Sequence, residues 1–275
     1  MKSVARSTLR RSRQPSQRRH GSAKAAAAQK ARGGRLRPPK SQGLYVAELE
    51  RDSCGVGMIA NMRSKPSHAI VADANEMLVR MAHRGGCGAE PNTGDGAGML
   101  LSLPRGFLRA AAQREGFELP ADGEYGTGNL FFSHETEVRA RGKAIVEERA
   151  AAAGLEVLGW RKVPGNNADL GSAAVASEPH IEQVFVSNKA GLESDAFEFE
   201  LLRLRKSAER AHLAEGLDDF YVCSLSGRTI TYKGQLTPEQ LSVYYDDLRD
   251  PTFQTHMAMA SGVRGSSAGS VMLRF

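Results

Sequence analysis

Residues 50–61 read ERDSCGVGMIAN and residues 76–100 read EMLVRMAHRGGCGAEPNTGDGAGML, two stretches in which glycines surround a cysteine, a histidine and an aspartate. The first places Cys54 at the head of a short apolar run, which predicts a strand over Cys54–Ala60. Gly55 and Gly57 carry no side chains, so they leave a substrate room to approach the sulfur. A cysteine in such a run is more often a small buried hydrophobic residue, so both roles stay open.

The second stretch predicts a helix over Asp73–Ala82, because apolar residues recur at i, i+3, i+4 and i+7: Ala74, Met77, Leu78 and Met81. Gly85 and Gly86 are expected to end this helix with a left-handed cap. His83 alone is typical of a helix-end residue that is hydrogen-bonded to a carbonyl. The segment Asn92–Gly98 can present backbone N–H groups to an anion. It lacks the spacing and the Lys-Ser/Thr pair of a phosphate loop, so a tight turn is favoured.

Helices and strands alternate through the rest of the chain. The Ala-rich segment Glu135–Ala153 and the apolar periodicity of Ser194–Glu215 predict two helices, which Gly154 and Gly216 close. Shorter predicted elements are a helix over Phe107–Arg114 and strands over Met99–Leu103, Asn129–Phe132, Leu155–Trp160 and Ile181–Val186.

Two local motifs complete the prediction. Ser226-Gly227 lies between the extended segments Phe220–Leu225 and Thr229–Lys233, which indicates a β-hairpin. Thr237-Pro238-Glu239-Gln240 supplies the N-cap, the proline and the capping-box glutamine that begin a helix. Long helices beside antiparallel strands predict the α+β class.

Composition excludes several classes of protein. The chain has 275 residues, of which 41% are hydrophobic and 25% are charged, as in ordinary globular domains. No run of eighteen apolar residues is present, which excludes a membrane-spanning helix. The three cysteines are too few for a disulfide framework, and their spacing matches no zinc site. We therefore expect no metal and no cofactor in this chain, and no membrane partner.

Basic residues are concentrated at the amino terminus. Residues 1–40 hold 13 Lys and Arg and no acid, whereas the rest of the chain holds 24 basic and 31 acidic side chains. A composition rich in Arg, Ser and Ala without acids is typical of an organelle transit peptide. A solvated tail and a nucleic-acid arm are the alternatives. Nucleic acid is the less favoured partner, because no aromatic residue precedes Tyr45 to stack on bases.

In chain order, several segments resemble the amino-terminal glutaminase domain of glutamate synthase. Besides the two stretches quoted first, they are ELPADGEY (118–125), LGWRKVP (158–164), EPHIEQVFV (178–186), DFYVCSLSGRTITYKGQL (219–236) and YYDDLRDPTF (244–253). The resemblance covers residues 43–259. It implies a class II glutamine amidotransferase with the four-layer αββα fold of N-terminal nucleophile (Ntn) hydrolases, and L-glutamine as the substrate. It also implies a synthase region that holds FMN and an iron–sulfur cluster and makes glutamate from 2-oxoglutarate and the released ammonia.

The same resemblance implies roles for individual residues. In that family a propeptide is removed so that the cysteine becomes residue one, which here places cleavage between Ser53 and Cys54. The freed α-amine would then act as the base for the Cys54 nucleophile. His83, Arg84 and Gly85 would shape the site, Asp95 and Gly96 would form a structural turn, and Cys87 and Cys223 would be buried. A plastid is the expected location, with the mitochondrion second.

After Met259 the resemblance ends. The family continues with His-Ser-Arg-Phe-Ser-Thr-Asn-Thr, whose arginine holds the substrate carboxylate, and later with an Asn-Gly oxyanion hole, whereas ASGVRGSSAGSVMLRF follows here. Arg264 matches nothing in that motif. We expect a transit peptide plus propeptide over residues 1–53, a partial domain over 54–259 that is incomplete at its carboxyl end, and an unrelated tail over 260–275. Such a chain would hydrolyse little glutamine alone. The alternatives are a non-catalytic truncated remnant and a basic protein that binds nucleic acid through residues 1–40.

Overall fold

The computed structural model describes residues 55–84, 86–87, 90–217 and 219–262, without the side chain of Arg84. Cys54, Gly85, the basic leader and residues 263–275 lie outside the described residues. In chain order the elements are β1 (Gly55–Ala60), α1 (His68–Arg80), a 3₁₀ turn (Ala82–Arg84), β2 (Ala97–Ser102), α2 (Arg105–Arg114), β3 (Tyr125–Phe132), α3 (Thr136–Ala152), β4 (Glu156–Lys162), α4 (Ser172–Ala176), β5 (His180–Ser187), α5 (Ser194–Ala214), β6 (Tyr221–Val222), β7 (Thr229–Gly234), α6 (Leu241–Tyr244), a second 3₁₀ helix (Asp246–Arg249) and β8 (Met257–Gly262).

The strands form two antiparallel sheets. Sheet I has the order β1-β8-β2-β7, and sheet II has the order β4-β5-β3-β6. Helix α1 packs on β1 and β8, and helices α3 and α5 pack on sheet II. One apolar core joins α1, sheet I and one side of sheet II, and a second core fills the space between sheet II and α3 and α5. This arrangement confirms the expected α+β class with two sheets between helical layers.

Helix α5 follows its apolar periodicity, and the glycines predicted to close α3 and α5 have the expected conformation. In α5 the predicted face is buried through Phe197, Leu201, Leu204 and Ala208. Gly154 and Gly216 have φ angles of +73° and +71°, the left-handed conformation expected after α3 and α5.

Helix α1 differs from its prediction at both ends. It begins at His68, five residues early, and ends at Arg80, with Met81 at φ −88° and ψ 6°. The chain then tightens into a 3₁₀ turn over Ala82–Arg84. The prediction that Gly85 and Gly86 cap the helix was therefore wrong, because the helix has ended before the glycines are reached.

The predicted hairpin around Ser226-Gly227 was also wrong. Strand β6 pairs with β3 in sheet II, whereas β7 pairs with β2 in sheet I. Ser226 still exchanges two backbone hydrogen bonds of 3.0 Å with Thr127 of β3, and the chain crosses to the other sheet only after it. Asn129 of β3 then donates to the carbonyl of Thr231 on β7 at 3.0 Å, which ties the two sheets together.

A buried ion pair also links the two sheets. Arg161 of β4 donates to both carboxylate oxygens of Asp247 at 2.5 and 2.9 Å, and their side chains are 6% and 3% exposed. Tyr232 of β7 donates its hydroxyl to the same carboxylate at 2.8 Å. Burial, followed by the charge of Asp247, raises the pKa of Tyr232 well above its ordinary value. The segment after α6 is thus fixed to both sheets.

Strand β8 runs three residues past Met259, where the sequence resemblance ended. Ala260, Ser261 and Gly262 pair with Gly57, Val56 and Gly55 of β1. These three residues therefore belong to sheet I. No helix among the described residues has the length and apolar character needed to cross a membrane.

Candidate functional site

The strand register of sheet I brings the two glycine-rich motifs to one end of the sheet. Gly55 pairs with Gly262, Gly262 with Ala97, and Ala97 with Gly234, so these four small residues form a row across all four strands. Cys54 directly precedes Gly55 in the chain, and Gly96 directly precedes Ala97. Gly55 and Ala97 are two strand spacings apart, which is about 10 Å. The segment that leads into β1 and the glycine loop that leads into β2 therefore meet the sheet at the same end.

The loop Glu90–Gly96, here called the site loop, lies beside the segment that follows α1. The Asp95 N–H donates to the Gly86 carbonyl at 2.9 Å, and Gly94 forms an antiparallel bridge with Cys87. The structure thus brings together two motifs that the sequence analysis treated separately. Their backbones form a small antiparallel ladder at the end of sheet I.

Steric constraints explain why glycine occupies two positions of the site loop. A Cβ atom at Gly94 would lie 2.1 Å from the backbone carbonyl atoms of Leu236, so the loop rests directly on the segment after β7. Gly96 has a φ angle of +149°, which residues with a side chain rarely adopt. Asp95 between them is 7% exposed. Residues 93–96 of the loop are therefore fixed and buried, which agrees with the tight turn that the sequence favoured.

The first half of the site loop is tied to α4. The Glu90 carboxylate accepts hydrogen bonds from the Ser172 hydroxyl, from the Thr93 hydroxyl at 2.9 Å and from the Ala173 N–H at 3.2 Å. The Ser172 bond, and after it the other two, hold the pKa of Glu90 below its ordinary value. Glu90 was not predicted from the sequence, because its partners in α4 lie more than eighty residues away.

Gln240 fixes the middle of the site loop. Its Nε2 donates to the Asn92 carbonyl at 3.0 Å and to the Asp169 carbonyl at 2.7 Å. Its Oε1 accepts the Thr237 N–H at 2.9 Å, which is the predicted capping-box bond, although α6 begins only at Leu241. The capping motif was therefore visible in the sequence, but the contact with the site loop was not.

Of the other predicted site residues, His83 is described and exposed. Its Nδ1 lies 3.0 Å from the Arg80 carbonyl, which is the helix-end hydrogen bond expected of a lone histidine. Arg84 is the last residue of the 3₁₀ turn. Asp95 and Gly96 lie in the site loop, while Cys54 and Gly85 are outside the described residues. The site roles of these six residues stay predictions.

The two other cysteines differ from each other. Cys223 is buried, as expected, and burial raises the pKa of its thiol to about 12. Cys87 is exposed, so the prediction that it is buried was wrong. Cys87 lies in the connection between the first 3₁₀ turn and β2 and belongs to neither of the two apolar cores, so its side chain is left exposed.

A cavity of about 150 Å³ lies beyond the far end of the same row of residues. Lys233, Gly234 and Leu236 line it from β7 and its continuation, and Tyr244 and Tyr245 line it from the end of α6 and the residue after it. Lys233 Nζ donates to the Tyr221 hydroxyl at 2.6 Å, and burial lowers the pKa of Lys233. Within the described ranges, no group of three His, Cys, Asp or Glu side chains is arranged to hold a metal ion.

Comparison with known proteins points to one family. A family model described as "Glutamine amidotransferases class-II" matches residues 54–264. The chain is 42% identical over 222 residues to "Glutamate synthase [NADPH] large chain" of Bacillus subtilis (strain 168), which covers 80% of this chain and 14% of that protein. It is 41% identical over 227 residues to "Glutamate synthase [NADH]" of Schizosaccharomyces pombe, covering 80% of this chain and 11% of the relative.

A third relative comes from a plant. "Ferredoxin-dependent glutamate synthase, chloroplastic" of Oryza sativa subsp. japonica is 39% identical over 211 residues, which are 76% of this chain and 13% of the relative. The chain thus spans 11 to 14% of the length of these three relatives. The match therefore concerns one domain of much longer proteins.

Proposed function

Because the chain belongs to the class II glutamine amidotransferases, an enzyme family with the Ntn hydrolase fold, we propose that it uses Cys54 to release ammonia from the side chain of L-glutamine. The observation that carries the proposal is the register of sheet I. It brings the strand that follows Cys54 and the loop that holds Asp95 to the same end of the sheet. The family match also begins at residue 54, the position that the proposal makes the first residue of the mature protein.

The chemistry follows from an amino-terminal cysteine. Cleavage between Ser53 and Cys54 frees an α-amine whose pKa is about 7.7–8.0, close enough to neutrality to take the thiol proton. The thiolate attacks the side-chain amide carbon of glutamine, the C–N bond breaks, and the leaving nitrogen takes the proton from the α-ammonium group. Water then hydrolyses the γ-glutamyl thioester, which releases glutamate and restores the thiol. Before cleavage the nitrogen of Cys54 is an amide and cannot act as this base.

The remaining predicted residues shape the site in this proposal. We infer that His83, Arg84 and Gly85 border the nucleophile and that the buried turn of Asp95 and Gly96 lies beside them. The support is the hydrogen bond that joins the two segments, from the Asp95 N–H to the Gly86 carbonyl. No cofactor takes part in this half of the reaction.

The role of the longer protein and its location are further parts of the proposal. The relatives are named glutamate synthases, so the ammonia would be used to make glutamate from 2-oxoglutarate. That step would take place in a synthase region with FMN and an iron–sulfur cluster. The acid-free leader and the chloroplastic name of the rice relative support a plastid, with the mitochondrion second.

Turnover by the 275-residue chain itself should be slow. The residues after Met259 do not match the segment that holds the substrate carboxylate in the family. Loss of one oxyanion donor typically costs about 2.7–4 kcal/mol of transition-state stabilisation. A single covalent event at Cys54 is therefore a better test than steady-state glutamate release.

The test uses a glutamine analogue that carries a diazoketone in place of the side-chain amide. We expect the protein, expressed from Met1 and purified, to begin at Cys54 by mass spectrometry and amino-terminal sequencing, and the analogue to label Cys54. Cys54→Ala should abolish labelling, and Cys87→Ala, which removes the exposed second thiol, should not. Labelling confined to Cys87, or equal labelling of chains that still carry Ser53, would contradict the proposal.

A further inference from the structure

We propose that Gln240 is a positioning residue of this site, which holds the site loop, and through it Asp95 and Gly96, against the end of sheet I. The inference rests on the proposed function of that site. Gln240 would not touch the substrate. It would act through the Asn92 carbonyl, three residues before Asp95.

The hydrogen bonds of Gln240 use all the polar groups of its side chain. The side chain is buried, with Gln240 4% exposed. Nε2 donates to two carbonyls, those of Asn92 and Asp169, and Oε1 accepts the Thr237 N–H. A primary amide offers two donors and an acceptor on one planar group. A glutamate of the same size keeps the acceptor but has no donor for the carbonyls.

The site loop has little freedom to move independently of this amide. The Asn92 carbonyl also accepts the Gly171 N–H at 2.9 Å, so the loop is held between Gln240 and the start of α4. Gly94 rests on the backbone of Leu236 and Thr237, the latter being the residue that Gln240 caps. A shift of Asn92 must therefore displace the turn of Asp95 and Gly96, and with it the entry into β2.

Two substitutions of Gln240 distinguish the contact with the site loop from the capping of the helix. Gln240→Glu keeps the capping-box acceptor, because glutamate serves as well as glutamine in that motif. It also places a carboxylate against the carbonyls of Asn92 and Asp169, which repel it. Gln240→Met removes both functions. A defect shared by the two variants therefore belongs to the contact with the loop and not to the cap.

The experiment measures local hydrogen exchange and Cys54 reactivity on the full chain. The variants are Gln240→Glu and Gln240→Met, and Gln235→Glu serves as the control that adds the same charge nearby. In both Gln240 variants we expect exchange in peptides covering the site loop to rise about tenfold or more, the scale of a lost buried hydrogen bond. Peptides within β3 should be unchanged. Labelling of Cys54 by the diazoketone analogue should fall about tenfold. Alkylation by iodoacetamide, which needs no substrate recognition, should stay within twofold of the parent.

Each contrary outcome has a distinct meaning. Unchanged exchange in the site loop, or equal acceleration in all peptides, would overturn the role of Gln240. An equal fall in labelling by both reagents would also overturn it, because a positioning residue should affect only the reagent that must be recognised. Absence of analogue labelling in the parent chain would refute the proposed function instead, and the exchange data would still decide whether Gln240 holds the loop.

Discussion

Asp247→Ala removes the carboxylate that neutralises Arg161 inside the domain. The Arg161 side chain is 6% exposed, so its guanidinium group would stay buried with the Gln183 side-chain oxygen, 3.1 Å away, as its remaining described acceptor. The Tyr232 hydroxyl would lose its acceptor as well. Breaking a buried ion pair from one side typically costs about 3–5 kcal/mol. That is a large part of the 5–15 kcal/mol by which domains are typically stable.

Urea unfolding followed by circular dichroism measures this loss as a change in the extrapolated free energy of unfolding. Asp246→Ala is the matched control, since Asp246 pairs with Arg249 at the surface, where the two side chains are 48% and 53% exposed. Such a pair is worth at most about 1 kcal/mol. The double change Arg161→Met with Asp247→Leu should recover most of the loss, because it removes both charges. A loss for Asp247→Ala within 1 kcal/mol of the Asp246→Ala value would refute the reasoning.

Three further predictions concern residues away from the ion pair: two cysteines, one histidine and a pair of helical glycines. At pH 8 iodoacetamide should label the exposed Cys87 and spare Cys223, because the buried thiol of Cys223 has a pKa of about 12. Peptide mass spectrometry measures the labelling of each cysteine, and equal labelling of the two would contradict this prediction. Burial lowers the pKa of His212 below 6.5, so its contribution to stability is complete above pH 6.5 and falls as the pH drops below 6.5. When the free energy of unfolding is measured by urea titration at several pH values from 5 to 7.5, it should change less with pH in His212→Phe than in the parent chain. Gly142→Ala should cost about 1–3 kcal/mol of unfolding free energy, because the new Cβ would lie 3.0–3.1 Å from neighbouring side chains. At Gly106 of α2 an added Cβ would meet open space, so Gly106→Ala should raise the free energy of unfolding by about 0.4–1 kcal/mol. If thermal unfolding showed Gly142→Ala to be more stable than Gly106→Ala, the steric reason would be disproved.

Local patterns predicted the elements well where the signal lay within one helix or strand. The buried face of α5 and the glycines after α3 and α5 agree with the sequence, because helical periodicity and left-handed caps depend on residues close together in the chain. The capping-box bond from Thr237 to Gln240 is of the same kind. Pairing between strands is different. Ser226-Gly227 has the composition of a hairpin turn, yet β6 and β7 join different sheets, a choice that depends on contacts with distant β3 and β2.

The same distinction applies to the candidate site. The motifs that hold Cys54, His83 and Asp95 stand out in the sequence because their glycines and polar residues are concentrated. The side chains that hold the site loop do not stand out, because glutamate and glutamine are common at protein surfaces in general and the distant contacts, from Glu90 to Ser172 and from Gln240 to Asn92, span 82 and 148 positions. The exposure of Cys87 likewise depends on its position outside both apolar cores and not on the general preference of free cysteine for the interior.

The strand order of sheet I gives its final strand an unusual position. Within the described part of the chain, β8 is the neighbour of β1, and it lies between β1 and β2. A polypeptide on the ribosome must therefore be synthesised as far as Met257–Gly262 before its opening strand can be joined to the strands made in between. Closing so long a loop is entropically costly, which places this insertion late in folding. A nascent chain that halts before residue 257 would leave Gly55–Ala60 without its neighbouring strand, so the strand that follows Cys54 can join sheet I only after β8 has been made.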